Sequence, residues 1–191
     1  MPVVTVTLIE GYDEATRRRL SERLTDAVRA TIDAPPEAVT VILNEVALGS
    51  YMRGRRGRKP GPPQPPAAQV VLDFLAAMEA RDLEGARAFL AKDFEMTFPG
   101  GVRFTALEEL LDWAGPRYRR IAKTMEGVEE VPAAHSVTVY CRGTLSGEAP
   151  DGTPFSAIRF IDRFEVAAGK LLRQEVWNDL GEVRVGALRD G

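Results

Sequence analysis

The chain has one cysteine, Cys141, and one histidine, His135, in 191 residues. A lone cysteine cannot close a disulfide within the chain. With a single histidine beside it, a conventional Cys/His metal cluster cannot be assembled within one chain either; a carboxylate-only metal site stays open but has no support in the sequence, so no metal is expected. No apolar run approaches the roughly 18 residues that span a bilayer, and the first residues show no charged leader ahead of an apolar stretch. No membrane partner is expected, and a cytoplasmic location is the default. Hydrophobic residues at 45% and charged residues at 28% describe an ordinary globular protein. The net charge of −3 gives no overall basic excess, so no nucleic-acid partner is expected. The local exception is Arg53, Arg55, Arg56, Arg58 and Lys59, read as a solvated run with some capacity for anions.

What the chain does have, in one place, is proline. Residues 60–66 hold five prolines in seven positions, which rule out a helix or a central strand and leave an extended spacer. This divides the chain into a domain at 1–59, a linker at 60–67 and a second domain at 68–191. The charge divides with it: residues 1–59 carry 10 basic and 8 acidic side chains (+2), the remainder 15 and 20 (−5).

In the first part, the β-branched run from Val3 to Ile9 predicts a strand. Asp13 is a candidate N-cap, and Leu20, Leu24, Ala27, Val28 and Thr31 recur at helical spacing. Ala34, Pro35 and Pro36 end that helix, and Val39 to Val46 predicts a second strand. A β-α-β unit implies parallel strands and a right-handed crossover. At about sixty residues it leaves sheet edges and one sheet face uncovered, so partner copies of the chain are expected.

Pro2 after the initiator methionine, the strand, Glu10 and Gly11, the amphipathic helix, Asp33 to Pro35, and Val41 to Glu45 followed by Gly49, Ser50 and Tyr51 together resemble the 4-oxalocrotonate tautomerase family over residues 2–54. The resemblance implies that Met1 is removed and that the secondary amine of Pro2 is a catalytic base acting on an enolisable carbonyl compound, an isomerase needing no cofactor. An α-amino group titrates near 7.7–8.0, which suits a base working close to neutrality. The resemblance also implies a homo-oligomer, commonly a hexamer, and with a second domain of a dimer-forming kind the expectation is a hexamer or a dimer. Tyr51 matches the family's aromatic wall residue, and Asn44 is a candidate for polarising the substrate. Tyr12 and Thr40 stand where the family usually carries arginines that hold a diacid substrate, and neither can form the bidentate contact that arginine makes. A neutral or monoanionic substrate is therefore expected.

In the second part, Val70, Val71, Phe74, Leu75 and Met78 predict a helix, and Leu83, Ala86, Phe89 and Leu90 a second one starting near Asp82. A strand is predicted from Phe94 to Phe98, a third helix from Ala106 to about Lys123, and three longer strands around 135–147, 154–166 and 170–178. The layout is α+β. This order, with Arg159 to Phe164 leading into Gly169 and a last strand ending at Trp177, Asn178 and Asp179, resembles the nuclear transport factor two-like superfamily over residues 68–184, and its SnoaL-like polyketide cyclase and ketosteroid isomerase branches in particular. It implies a cone of helices wrapped by a curved antiparallel sheet, a central cavity, and chemistry of secondary metabolism.

Asp162 alternates in phase with Ile158, Phe160, Phe164 and Val166, which puts a carboxyl on an apolar face. There it must find a partner or remain protonated. The position resembles the oxyanion-hole aspartic acid of ketosteroid isomerases, a carboxylic acid kept neutral by its apolar site. Arg142 and Tyr140 are its expected partners, and Trp177 is expected to pack in the pocket or an interface. Phe98 occupies the position of those isomerases' general base. His135, in phase with Val137, Val139 and Cys141, is expected to be partly buried. Two other functions remain open: a SnoaL-like cyclase or isomerase centred on Asp162, and a non-enzymatic small-molecule binding protein.

Overall fold

The computed structural model describes residues 1–182. The chain separates into two compact units, Met1–Pro63 and Gln64 onward.

In the first unit, strand β1 (Val3–Ile9) leads into helix α1 (Glu14–Arg29) and strand β2 (Thr40–Val46). The strands are parallel, from Val3 opposite Thr40 to Ile9 opposite Val46. Asp13 caps α1, its Oδ1 accepting the Thr16 N–H at 2.8 Å. The helix ends at Arg29, so Thr31, expected within it, lies beyond. Strand alternation gives the sheet two faces. Val4, Val6, Val41 and Leu43 are half-buried, while Val3, Thr5, Thr7, Thr40, Ile42 and Asn44 are exposed. None of residues 1–63 is fully buried. After β2 comes a hairpin of β3 (Met52–Arg53) and β4 (Arg56–Gly57), whose turn places Gly54 at φ +59° and Arg55 at φ +63°. The basic run is thus a tight, exposed hairpin.

The second unit begins with α2 (Ala67–Glu79) and α3 (Leu83–Arg87), the latter capped by Asp82. Strands β5 (Leu90–Phe98) and β6 (Val102–Phe104) are followed by α4 (Leu107–Ala114), then by β7 (Arg120–Pro132), β8 (Val137–Glu148), β9 (Pro154–Ala167) and β10 (Lys170–Asn178). They form one sheet in the order β6-β5-β10-β9-β8-β7, antiparallel except for the β10–β5 pair. Register shifts interrupt the ladders between Met125 and Gly127, Leu145 and Gly147, and Leu171 and Arg173. Such bulges bend the strands and curve the sheet. Beside two of them β7 crowds β8: a Cβ on Gly143 would lie 2.0 Å from the Thr124 carbonyl oxygen, and one on Gly147 2.1 Å from that of Arg120. Only glycine fits there.

The curved sheet closes over α2 and α4. Phe74 of α2 meets Phe94 and Phe164 edge-on, with ring centroids 6.3 and 6.1 Å apart, in a core shared by Val71, Met96, Leu107, Val139 and Leu171.

The third helix is shorter than expected. Residues 120–123, expected to be helical, open β7 instead. Gly115 and Pro116 end α4, because proline cannot supply the next helical N–H and disfavours helix in the residue before it. The second helix is also shorter: it ends at Arg87, so Phe89 and Leu90, expected within it, lie beyond, and the strand expected at 94–98 starts at Leu90. His135 is exposed in the β7–β8 connection rather than partly buried on a strand. Residues 183–191, and with them the last residues expected in the second domain, lie outside the described residues.

Candidate functional site

In the first unit, Pro2 is half-buried at the head of β1, and its carbonyl accepts the Thr40 N–H at 3.0 Å. Pro2 and Thr40 are therefore neighbours. Asn44 lies four residues further along β2, on the same exposed face as Thr40 and opposite Thr7. Tyr12 follows the far end of β1 and Tyr51 the far end of β2. Seven strand residues at about 3.3 Å each separate the two ends by roughly 20 Å. One copy of this unit thus presents Pro2 and Thr40 at one end and Tyr12 and Tyr51 at the other. At that far end Tyr51 accepts a hydrogen bond from Arg53 Nη2 at 3.2 Å, and Glu10 Oε1 accepts the Leu48 N–H at 3.1 Å.

The second unit contains a cavity of about 490 Å³ between α2, α4 and the concave face of the sheet, within the size range of small-molecule sites. Its walls include Leu75, Met78, Phe98, Trp113, Met125 and Phe160. Phe98, Phe104 and Trp113 form a triad of edge-on rings with centroids 5.5–5.9 Å apart. The Arg117 guanidinium lies 3.8 Å over the Trp113 ring and donates to the Trp113 carbonyl at 2.7 Å. Burial also raises the Tyr118 phenol, another lining residue, above its usual range.

Asp162 points into this cavity from β9, as its alternation predicts, and is completely buried. Its neighbours across the ladder are Cys141 on β8 and Val176 on β10. Its Oδ2 is ion-paired with Lys123 Nζ of β7, whose ammonium also lies 4.7 Å over the Phe160 ring. Burial pushes the Asp162 carboxyl above the ordinary carboxylate range, and the Lys123 charge and hydrogen bond oppose that rise. Burial likewise drives the adjacent Cys141 thiol up to about 12, so it is inert as a nucleophile. Asp162 Oδ1 and Gln174 Oε1 are buried without a hydrogen-bond partner among the described residues.

The expected partners of Asp162 are elsewhere. In the ladder Arg142 is opposite Ile161 and Tyr140 opposite Arg163, so both belong to the alternation that faces away from the cavity. There Arg142 Nε binds Glu129 Oε1 at 3.3 Å, and Tyr140 hydrogen-bonds Arg163, itself 2.8 Å from Glu175. Trp177, opposite Ile161, is on that same outer face and 50% exposed, not in the pocket. Lys123 was missed because residues 106–123 read as one helix; the Gly115-Pro116 break was the signal for a strand beyond. Gln174 and Trp113 carry no sequence signal that separates them from packing residues.

Residues 2–57 match the tautomerase enzyme family, and residues 71–174, more than half the chain, match the SnoaL-like domain family. This chain is a tautomerase-family domain joined to a SnoaL-like domain. The tautomerase domain is 44% identical over 57 residues to a Halalkalibacterium halodurans protein named as a probable tautomerase, covering 29% of this chain and 93% of the relative. It is 37% identical over 57 residues to a Bacillus subtilis protein named 2-hydroxymuconate tautomerase, covering 29% and 92%. For the SnoaL-like domain, an NTF2-like protein of unknown function from Burkholderia pseudomallei shares the fold. Its TM-score is 0.52 at 20% identity, covering 61% of this chain and 93% of that one.

Proposed function

We propose that the chain is a tautomerase in which Pro2, exposed as the N-terminal residue by removal of Met1, shuttles a proton on an enolisable carbonyl compound. The observation that carries this reading is the family match that begins at Pro2 itself, with that residue half-buried beside Thr40 at the head of the parallel sheet. The neutral ring nitrogen takes a proton from the enol hydroxyl or from the carbon α to the carbonyl, and returns it to a carbon of the conjugated system. One group serves as base and then as acid, so no cofactor enters the balance. Intact-mass measurement of the purified protein should find Met1 absent, and the same protein should accelerate ketonisation of a phenylpyruvate enol. A retained methionine, or no acceleration, overturns the proposal.

The substrate differs in charge from that of the relative named for 2-hydroxymuconate, a dicarboxylate. Tyr12 and Thr40 supply no fixed positive charge for a second carboxylate. Charge-assisted hydrogen bonds contribute about 1.5–3 kcal/mol each, so kcat/KM for a monoanionic or neutral enol should exceed that for a dicarboxylate dienol by about tenfold or more. A dicarboxylate preference contradicts this.

The site is completed between copies of the chain. Tyr12 and Tyr51 reach a Pro2 only if it belongs to another copy, and the exposed face bearing Val3 and Ile42 needs a cover that its own unit does not supply. Light scattering at micromolar concentration should report a homo-oligomer, hexameric or dimeric, and residues 1–63 alone should still associate. A stable full-length monomer overturns the shared site.

A further inference from the structure

The chain has four lysines, and three of them, Lys59, Lys92 and Lys170, are exposed. The fourth, Lys123, is set into a wall. Its side chain is only 24% exposed, it lines the cavity of the SnoaL-like domain, and its Nζ lies 4.7 Å over the Phe160 ring. The group beside Nζ is the Asp162 carboxyl, which has no exposure at all. Replacing a buried pair by apolar residues of the same volume is often neutral or stabilising, so folding alone does not ask for one here.

What the pair supplies is a proton with two possible owners. Burial disfavours the charged form of an amine and of a carboxyl alike, and passing one proton from Lys123 Nζ to Asp162 Oδ2 removes both charges at once. Burial already holds the Asp162 carboxyl above the ordinary range against the opposing effect of Lys123. The transfer leaves a neutral primary amine at the wall of a largely apolar cavity, with a carboxylic acid in contact with it. An ammonium in water has no such route, because at neutral pH it keeps its proton. The neutral amine alone has the lone pair that attacks carbonyl carbon.

We propose that Lys123 is a nucleophile that forms an imine with an apolar aldehyde or ketone in the cavity, Asp162 moving the protons. The Nζ lone pair forms the C–N bond while the carbonyl π pair moves to oxygen, which takes the proton of Asp162. Asp162 then removes one proton from nitrogen and passes it to the new hydroxyl, which leaves as water with the C–O bonding pair. The nitrogen lone pair closes the C=N bond. One amine, one carbonyl compound and the proton held by Asp162 thus give one protonated imine and one water, and the cation formed has the Asp162 carboxylate as its counter-ion. No oxidant, reductant or further reactant is needed. A protonated imine withdraws electrons from the neighbouring carbon, so the activity is activation of a carbonyl compound by a primary amine, and it does not depend on Pro2.

Reductive trapping tests it. Full-length protein is incubated at neutral pH with limiting 3-phenylpropanal and sodium cyanoborohydride, and the reduced adducts are located by peptide mass mapping. The map resolves the peptide at the amino terminus, so reaction at Pro2 is read separately. Lys123 should carry at least about tenfold more adduct than any of Lys59, Lys92 and Lys170, since an exposed amine is almost wholly protonated near neutrality. In denaturant, where the cavity is gone, the four lysines should label alike. Asp162→Asn, which keeps the side-chain shape and removes the transferable proton, should lower labelling at Lys123 by about tenfold or more and leave the other three unchanged. Equal labelling of the four lysines in the folded protein overturns the proposal, as does absence of adduct at Lys123. A preference for Lys123 that survives denaturation, or undiminished labelling in a folded Asp162→Asn, overturns it as well. The comparison of folded with denatured wild type needs no variant, so the test stands if Asp162→Asn is unstable.

Discussion

Pro2→Ala is expected to lower the rate of enol ketonisation by at least about tenfold, and by up to the 10²–10⁴ that positioned general bases contribute, and to leave folding intact. The substituted residue is half-buried ahead of β1, and the hydrogen bond it makes among the described residues uses the carbonyl oxygen, which alanine also has. Thermal unfolding and light scattering should therefore match the wild type. Alanine retains an amine at the chain start, but a primary one without the ring that fixes its direction, so a residue of activity is expected. The pH profile distinguishes a base from a structural residue. Wild-type activity should rise as the amine loses its proton, and that limb of the profile should be lost or displaced in the variant. Wild-type rates in Pro2→Ala, with Met1 absent, exclude Pro2 as the base.

The largest effect on stability is expected from Lys123→Met. It leaves the fully buried Asp162 without its counter-ion, and removing one member of a buried pair costs about 3–5 kcal/mol. The size of the loss follows pH. The folded-state pKa of Asp162 is already raised by burial, and losing Lys123 removes the interaction that opposed the rise. A carboxyl whose pKa is higher in the folded than in the unfolded state adds stability below the unfolded value, near 3.9. That stability is lost as pH rises through the folded value. The deficit of Lys123→Met should therefore be small near pH 4 and grow toward neutrality, by at most about 1.4 kcal/mol per pH unit. The double variant Lys123→Met/Asp162→Leu should recover most or all of the loss, because well-packed apolar replacements of buried pairs are often neutral or stabilising. Denaturant unfolding of the three proteins at pH 4.5 and pH 7.5 decides it. A deficit in Lys123→Met that is independent of pH, or a double variant no more stable than the single one, removes the ion pair from the account.

The limits of alternation as a guide are visible in β9. It correctly placed Asp162 on the apolar face, because side-chain direction along a strand depends only on parity. It could not name the partner. Arg142 and Tyr140 were near in sequence logic but of the wrong parity once β8 pairs with β9 in the observed register, where Cys141 opposes Asp162. Lys123 comes from a strand two ladders away, and its approach depends on the bulge near Gly127 and on the bend of β7 over β8. Trp177 is out of the pocket for the same reason of parity, being opposite the outward Ile161, on the outer face that its other expected place, an interface, requires.

The sequence by itself determined the proline-rich division of the chain, the β-α-β unit headed by Pro2, the α+β character of the second part and the buried position of Asp162. These rest on local properties: proline's missing donor, β-branched runs, helical spacing and strand parity. Only the tertiary structure decided that α4 stops at Ala114 and that Lys123 is the counter-ion of Asp162. It alone also put Pro2 and the Tyr12–Tyr51 pair at opposite ends of one sheet, and left Asp162 and Gln174 as unmatched acceptors in one cavity. Each of these depends on which strand lies beside which and in what register. That choice is made by burying apolar faces over the whole domain, not by any residue's own preference.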